Sequence, residues 1–379
     1  MRGAVVVLVL SACGRVGFDP TADLDAGPLP VPPALRLSIG SSHTCAIVDG
    51  ALFCWGANNA GQLGIGSLTD ATTPTRVGTD RDWTAVCTAA EHSCGIRARE
   101  LSCWGQNSQG EIGSGDDLGD VLVPYRIRDA EPWVDVACQD NHTCALRVDG
   151  AVWCWGANEA GELGLVGPTE ERVPTQVDVG GDWTHLSVGN NWGSVLGPNG
   201  YKAWGSNEEG QFGNGLIGGR QYAPAPIDLG FVPVTFSSQQ EHVCTTGDEG
   251  VVRCWGDNRA GQLGVGAPPA DVPSPTVVPI EMPRVIETGG HSTCAILDGR
   301  LLCWGSNDRG ELGVGDLTDR PAPTQVGTDT TWTDVAIGLE HACGVRGGAV
   351  YCWGNNNAGQ LGLGAPSAPV TSPSTPLPF

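Results

Sequence analysis

The chain almost lacks lysine. Lys202 is the only one among twenty basic residues, set against forty-two acidic ones, and the net charge is −22. A surface of that sign repels polyanions, so no nucleic-acid partner is expected. Helical periodicity is missing too: no segment sustains apolar residues at a spacing of 3.6. The 57 glycines and 27 prolines among 379 residues leave little room for helices. No run approaches the ~20 apolar residues that span a bilayer. For all its glycine, the chain carries no Gly-Lys-Ser/Thr opening a helix, so the phosphate-cradling loop is not met. What remains is an all-β chain of short strands bounded by Gly, Pro, Asn and Asp.

What the chain does contain is a repeat. The stretch from His43 to Gly66, HTCAIVDGALFCWGANNAGQLGIG, returns seven times. Its Trp-Gly pair sits at Trp55, Trp104, Trp155, Trp204, Trp255, Trp304 and Trp353, in steps of 49, 51, 49, 51, 49 and 49 residues. A fixed period near fifty residues marks a repeat architecture. Within the unit, two apolar runs flank Asp49-Gly50, a strong hairpin motif. A two-residue turn there pairs Cys45 with Cys54 on a non-hydrogen-bonded rung, where Cα atoms lie roughly 4.5 Å apart, within disulfide reach. The same reading pairs Cys94 with Cys103, Cys144 with Cys154, Cys244 with Cys254, Cys294 with Cys303 and Cys343 with Cys352. The loops before Cys154 and Cys254 are one residue longer, which predicts a bulge or three-residue turn. Ala98-Arg99 is a poor fit to the turn it must make. In the fourth repeat Ser194 and Ala203 replace both cysteines together, as a covalent bridge predicts. Cys87 and Cys138 lie just before the histidines of neighbouring repeats and are placed to form a seventh bridge across them.

Residues 1–12 read as a lipoprotein-type export segment: Met1-Arg2-Gly3 supplies charge, Ala4 to Leu10 is apolar, and Leu10-Ser11-Ala12 leads to Cys13 as the lipidated residue. Residues 13–33 form a Pro/Gly/Asp-rich tether with a reach of roughly 25 Å. Residues 34–379 are the repeat domain. Disulfides persist outside the cytosol, so an exported location at a bacterial cell envelope or outside the cell is expected, with membrane attachment only through lipid. The first repeat lacks the Pro-Thr-x-Val strand, and the C-terminal tail carries Pro373 where Pro74, Pro124, Pro174, Pro224, Pro275 and Pro323 stand elsewhere. This predicts a ring closed by one blade built from both ends of the chain.

The unit GSSHTCAIVDGALFCWGANNAGQLGIG…PTRV…WTAV resembles the repeat of the regulator of chromosome condensation family, in seven copies over residues 34–379. The resemblance implies a seven-bladed β-propeller. It also offers guanine-nucleotide exchange on a small GTPase as an alternative function, though the basic tail used for chromatin is absent. A carbohydrate-binding or carbohydrate-acting protein is a third reading, resting on aromatics alone. The preferred reading is a monomeric, lipid-anchored scaffold that binds an unidentified protein.

No catalytic residue is singled out and no cofactor or metal is expected. His43, His92, His142, His242 and His341 each precede a cysteine by two residues, which on a strand puts both on one face and could in principle hold zinc. In the sixth repeat the histidine moves to His291 while both cysteines stay, so these histidines read as blade packing. Candidate partner contacts come from the odd fourth repeat and the variable loop after it: Asn191, Trp192, Tyr201 and Tyr222. Trp192 could equally fill the volume that histidine and disulfide leave.

Overall fold

The structure, a computed structural model, describes residues 35–379 apart from 117, 129–130, 179–180 and 267–269. The proposed export segment, Cys13 and the tether therefore lie outside the described residues. Blade 1 shows how a repeat folds. β1 (Leu35–Ile39), β2 (His43–Val48), β3 (Ala51–Gly56) and β4 (Ala71–Arg76) form one antiparallel sheet in chain order. Cys45 pairs with Cys54 and Val48 with Ala51, so the turn centres on Asp49-Gly50. Both turn residues take positive φ, 47° and 75°, the two-residue hairpin that matches strand twist.

Six more four-stranded sheets follow, spanning residues 83–126, 133–178, 185–227, 237–281, 285–325 and 332–370. The molecule is a seven-bladed β-propeller, and no helix occurs among the described residues. First strands meet around the axis, as where Ser38 Oγ and Thr88 Oγ1 lie 2.9 Å apart between blades 1 and 2. Outer strands carry the exposed edge, blunted by their prolines. The turns between first and second strands and the Gly-rich loops after each Trp-Gly share one face, here the loop face. The hairpin turns and blade-to-blade connections occupy the other, the hairpin face.

The ring closure differs from the expected one. Among the described residues no sheet mixes the first blade with the C-terminal tail: the Pro-bearing strand belongs to the blade before it, so Ser367–Val370 completes blade 7 and blade 1 is whole without it. Blade 1 and the C-terminal tail meet by packing instead. Phe379 stands edge-on to Phe53 and Trp55, and Leu377 joins the cluster holding Leu37 and Ile39.

Seven disulfides are present, the six hairpin rungs and Cys87–Cys138. Hairpin Cα atoms lie 4.0–4.2 Å apart, as that rung demands, whereas Cys87 and Cys138 span 5.8 Å between the first strands of blades 2 and 3. The misfit at Ala98-Arg99 also resolves. Both residues adopt the positive φ of the same turn, 48° and 63°, without glycine. In the longer loops Gly150 and Gly250 take φ near 80° and donate to the carbonyls of Arg147 and Gly247, closing three-residue turns.

Candidate functional site

The repeated residues form the joints between blades. After each Trp-Gly an asparagine organises the loop: Asn58 Oδ1 accepts from Leu63 N at 3.0 Å, and its Nδ2 donates to Ser67 O and Thr69 O. A Gln or Glu then folds back so that its side-chain oxygen accepts a backbone N–H two residues earlier, as Gln62 Oε1 does from Ala60 N. All seven repeats have it, in Gln62, Glu111, Glu162, Gln211, Gln262, Glu311 and Gln360. This turn aims the residue's own carbonyl into the next blade. There the Trp of the Trp-Gly pair donates Nε1–H to it at 2.8–2.9 Å, at every seam including the closing one, Trp55 to Gln360. Gly64 shows why glycine follows: a Cβ there would lie 2.7 Å from Trp104 Nε1, and φ is 68°.

The histidines complete this joint. His43 Nε2 meets Ser93 Oγ, His92 meets Thr143, His242 meets Thr293 and His341 meets Thr44, at 2.8–2.9 Å, always in the next blade. Each hydroxyl donates to the same Gln or Glu carbonyl, so it must accept from the imidazole, which fixes the Nε2–H tautomer. Burial pushes His43, His92, His242 and His341 down to about 3 and His142 to about 4, so all are neutral. Their neighbouring cysteines are in disulfides and offer no thiolate. Sequence reasoning placed these histidines in blade packing; it missed that the tryptophan and the Gln/Glu carbonyl share their joint. The one clue was a hydroxyl just after the histidine position in repeats 1, 2, 3 and 6 (Thr44, Ser93, Thr143 and Thr293), while its partner histidine is a blade away.

Blades 4, 5 and 7 lack the hydroxyl, the last two with Val243 and Ala342 in its place, but only in blade 4 does a histidine face the gap. Gly193 stands where the hydroxyl belongs, and a Cβ on it would lie 2.6 Å from the Trp204 ring. The Nε2 of His142 therefore meets no protein partner among the described residues. Trp192 replaces the next histidine and donates Nε1–H to Gln240 O at 2.6 Å in blade 5. Trp192 and Tyr201 are both buried, in a cluster with Phe212, Phe236 and Trp255. Their assignment as partner contacts is corrected: each fills the space beside Ser194 and Ala203 that a disulfide occupies elsewhere, and neither reaches solvent. Asn191 is half-buried in a loop-face turn, where its carbonyl accepts from Ser206 N. Tyr222 is exposed on the outer strand of blade 4 and packs on the loop of blade 3 beside Gly161. Of the four candidates, only Tyr222 presents a large side chain to solvent.

A cluster of charged groups on the loop face spans blades 4 to 6. Arg259 Nε bonds Asp257 Oδ1 at 2.8 Å and reaches Glu209 at 3.2 Å, while His291 Nδ1 lies 3.3 Å from Asp257. Burial opposes ionisation of Asp257, but the bonds from His291 and Arg259 outweigh it and hold its pKa low. Beside it, burial and then the Glu209 charge push Glu241 up to about 7. A second buried acid, Asp334, is raised to about 7 by burial and by Glu287. Among the described residues no group of three or more His, Cys, Asp or Glu side chains is arranged to hold a metal ion.

Fold and joints together define a seven-bladed propeller whose blades are clamped to their neighbours by a repeated Trp–carbonyl bond. The chain belongs to the RCC1-like domain family: that family's profile matches residues 98–378, and the regulator of chromosome condensation (RCC1) repeat matches residues 49–96. Among curated relatives, the ultraviolet-B receptor UVR8 of Arabidopsis thaliana is 27% identical over 277 residues, covering 67% of this chain and 60% of the receptor. The probable E3 ubiquitin-protein ligase HERC6 of Homo sapiens is 30% identical over 254 residues, 62% of this chain but 19% of the ligase. The chain thus spans less than two thirds of these relatives. Among solved structures, Prp20p of Saccharomyces cerevisiae superposes with a TM-score of 0.75 at 22% identity, over 86% of this chain and 85% of that one. Human WBSCR16 gives 0.72 at 23% identity, over 89% and 96%. At that identity the likeness is one of fold.

Proposed function

We propose that this chain is an exported propeller scaffold that binds a protein partner outside the cytosol and is held at the membrane by lipid on Cys13. The observation that carries the compartment is the cysteine balance. Fourteen of the fifteen cysteines are in disulfides, and the remaining one is Cys13. A reducing cytosol does not sustain such a set. Protein binding is supported by relatives: the yeast propeller Prp20p is described with its binding to Gsp1p and histones, and also bound to Kap60. The tryptophans of the Trp-Gly pairs and four of the histidines are committed to the joints, which leaves the loops as the variable part of the repeat.

The test is fractionation of cells producing the full chain, followed by the intact mass of the N-terminal peptide. The expected result is an envelope fraction in which Cys13 is the first residue and carries acyl chains. A full-length cytosolic chain with an unmodified Cys13 would overturn the reading.

A further inference from the structure

The loop face is not uniform around the ring. Val123, Val166, Val173, Leu216, Ile217 and Tyr222 are all exposed, between 44% and 79%, and all belong to blades 2 to 4. They follow one another around the ring as an arc, because the start of each outer strand lies on the Gly-rich loop of the blade before it. A Cβ on Gly66 would lie 3.7 Å from Val123, one on Gly115 2.9 Å from Val173, and one on Gly161 2.8 Å from Tyr222. The repeats supply their own controls. Where Val123 and Val173 stand, the other blades place Thr73, Ala223, Ser274, Ala322 and Ser372. The fold therefore has no need of large apolar residues there. Leu68 and Leu317 are exposed as single residues in the loops of blades 1 and 6, and no such residue is exposed on the loop of blade 7. Large apolar residues left exposed together on neighbouring blades mark a binding site.

Charge selects the occupant. Glu159, Glu171 and Glu208 lie along the arc and have no basic partner among the described residues. The two local arginines are turned onto the protein itself: Arg172 Nε bonds Glu170 at 3.0 Å and its guanidinium also bonds Ser108 O, while Arg220 bonds Glu159 O at 3.0 Å. A second copy of a chain with a net charge of −22 would bring like charge to this surface. We propose that the arc over blades 2 to 4 is the docking surface for a basic protein segment carrying large apolar side chains. This rests on the protein-binding reading above and adds the face and the chemistry of the partner.

The experiment selects peptides from a phage-displayed random dodecapeptide library on the oxidised full-length protein. Selected peptides are then measured against two variants. One changes Val166, Val173, Leu216, Ile217 and Tyr222 to Ser; the other makes the changes V232S, V234S and M282S on the hairpin face. Thermal unfolding and circular dichroism confirm that both fold, and single changes V166S and I217S substitute if the multiple variant does not. Enriched peptides should combine Arg or Lys with Leu, Phe or Trp. They should lose about tenfold or more in affinity on the arc variant, as expected when apolar anchors are removed. Affinity should be unchanged on the hairpin-face variant and should weaken as salt rises. Peptides that bind the arc variant normally would overturn the arc and leave protein binding standing. Acidic peptides would overturn the charge argument, and a library yielding no specific peptide would overturn both readings.

Discussion

Two seams of the ring solve one problem with different chemistry. Between blades 2 and 3 the first strands are joined by Cys87–Cys138, and His92 reaches Thr143. Between blades 4 and 5 there is neither. Tyr201 packs on Phe236 with ring centroids 5.2 Å apart, Phe236 on Trp255 at 6.3 Å, and Trp192 on Phe212 at 6.4 Å. The register of blade 4 is nonetheless that of its stapled neighbours, with Ser194 opposite Ala203 as Cys45 is opposite Cys54. Sheet geometry thus comes from the hairpin and the apolar pattern. The disulfides act mainly by restricting the unfolded chain.

Acid should separate the seams most strongly. A histidine whose folded pKa lies below its unfolded value of about 6.5 contributes stability that is present above that pH. It is lost as pH falls toward the folded value, about 3 for four of them and about 4 for His142. Glu241 and Asp334 work the other way, since both are raised to about 7 and favour the fold as they gain protons below it. Burial also raises Glu111, Asp140, Glu162, Glu209 and Glu311, by less, but the five large histidine shifts outweigh the acids and predict a melting temperature that falls from pH 6.5 to 4. Hydrogen exchange should show the histidine-bearing seams opening before the aromatic one between blades 4 and 5.

The next largest effect is removal of Cys87–Cys138. Its 51-residue separation makes it the longest loop closed, against 9 or 10 for the hairpin bridges. The chain-entropy relation gives about 4 kcal/mol for it and about 2.7 kcal/mol for each hairpin. Denaturant unfolding of C87A/C138A should therefore show a larger loss than C45A/C54A. Equal losses would mean that hairpin geometry, not loop length, governs.

The comparison can also be erased from the other side. S194C/A203C places cysteines on the rung that carries a disulfide in the other six blades, and should stabilise by up to about 2.7 kcal/mol. Overlap of the new sulfurs with the aromatic cluster would lower that gain, and the melting temperature measures it. The smallest difference is between W204F and W304F. Both leave a buried carbonyl without its indole donor, but Gln262 O keeps Thr293 while Glu162 O, facing Gly193, has no hydroxyl. W204F should be the worse by about 1 kcal/mol in chemical unfolding.

Much of this was legible in the sequence because a repeat is an alignment with itself. Blade number, hairpin turns and disulfide partners follow from spacing, and the joint loss at Ser194 and Ala203 identified the bridge. Ring closure was misread because the Pro-bearing strand is equally close in sequence to the blade before and the blade after; only hydrogen bonding assigns it. Trp192 and Tyr201 were misplaced because an aromatic that departs from a repeat looks the same whether it fills a core or meets a partner. Tyr222 and its variable loop were singled out, but the rest of the arc on blades 2 to 4 was not joined to them, because Val123 and Val173 look like ordinary strand residues until their neighbours in space are known.

The most direct test is a non-reducing peptide map of the protein purified from its native compartment without reductant. The account predicts the six hairpin bridges and Cys87–Cys138, with no bridge reaching Ser194 or Ala203. Free thiols at these positions, or cysteines linked in any other order, would contradict both the stapled ring and the compartment inferred from it.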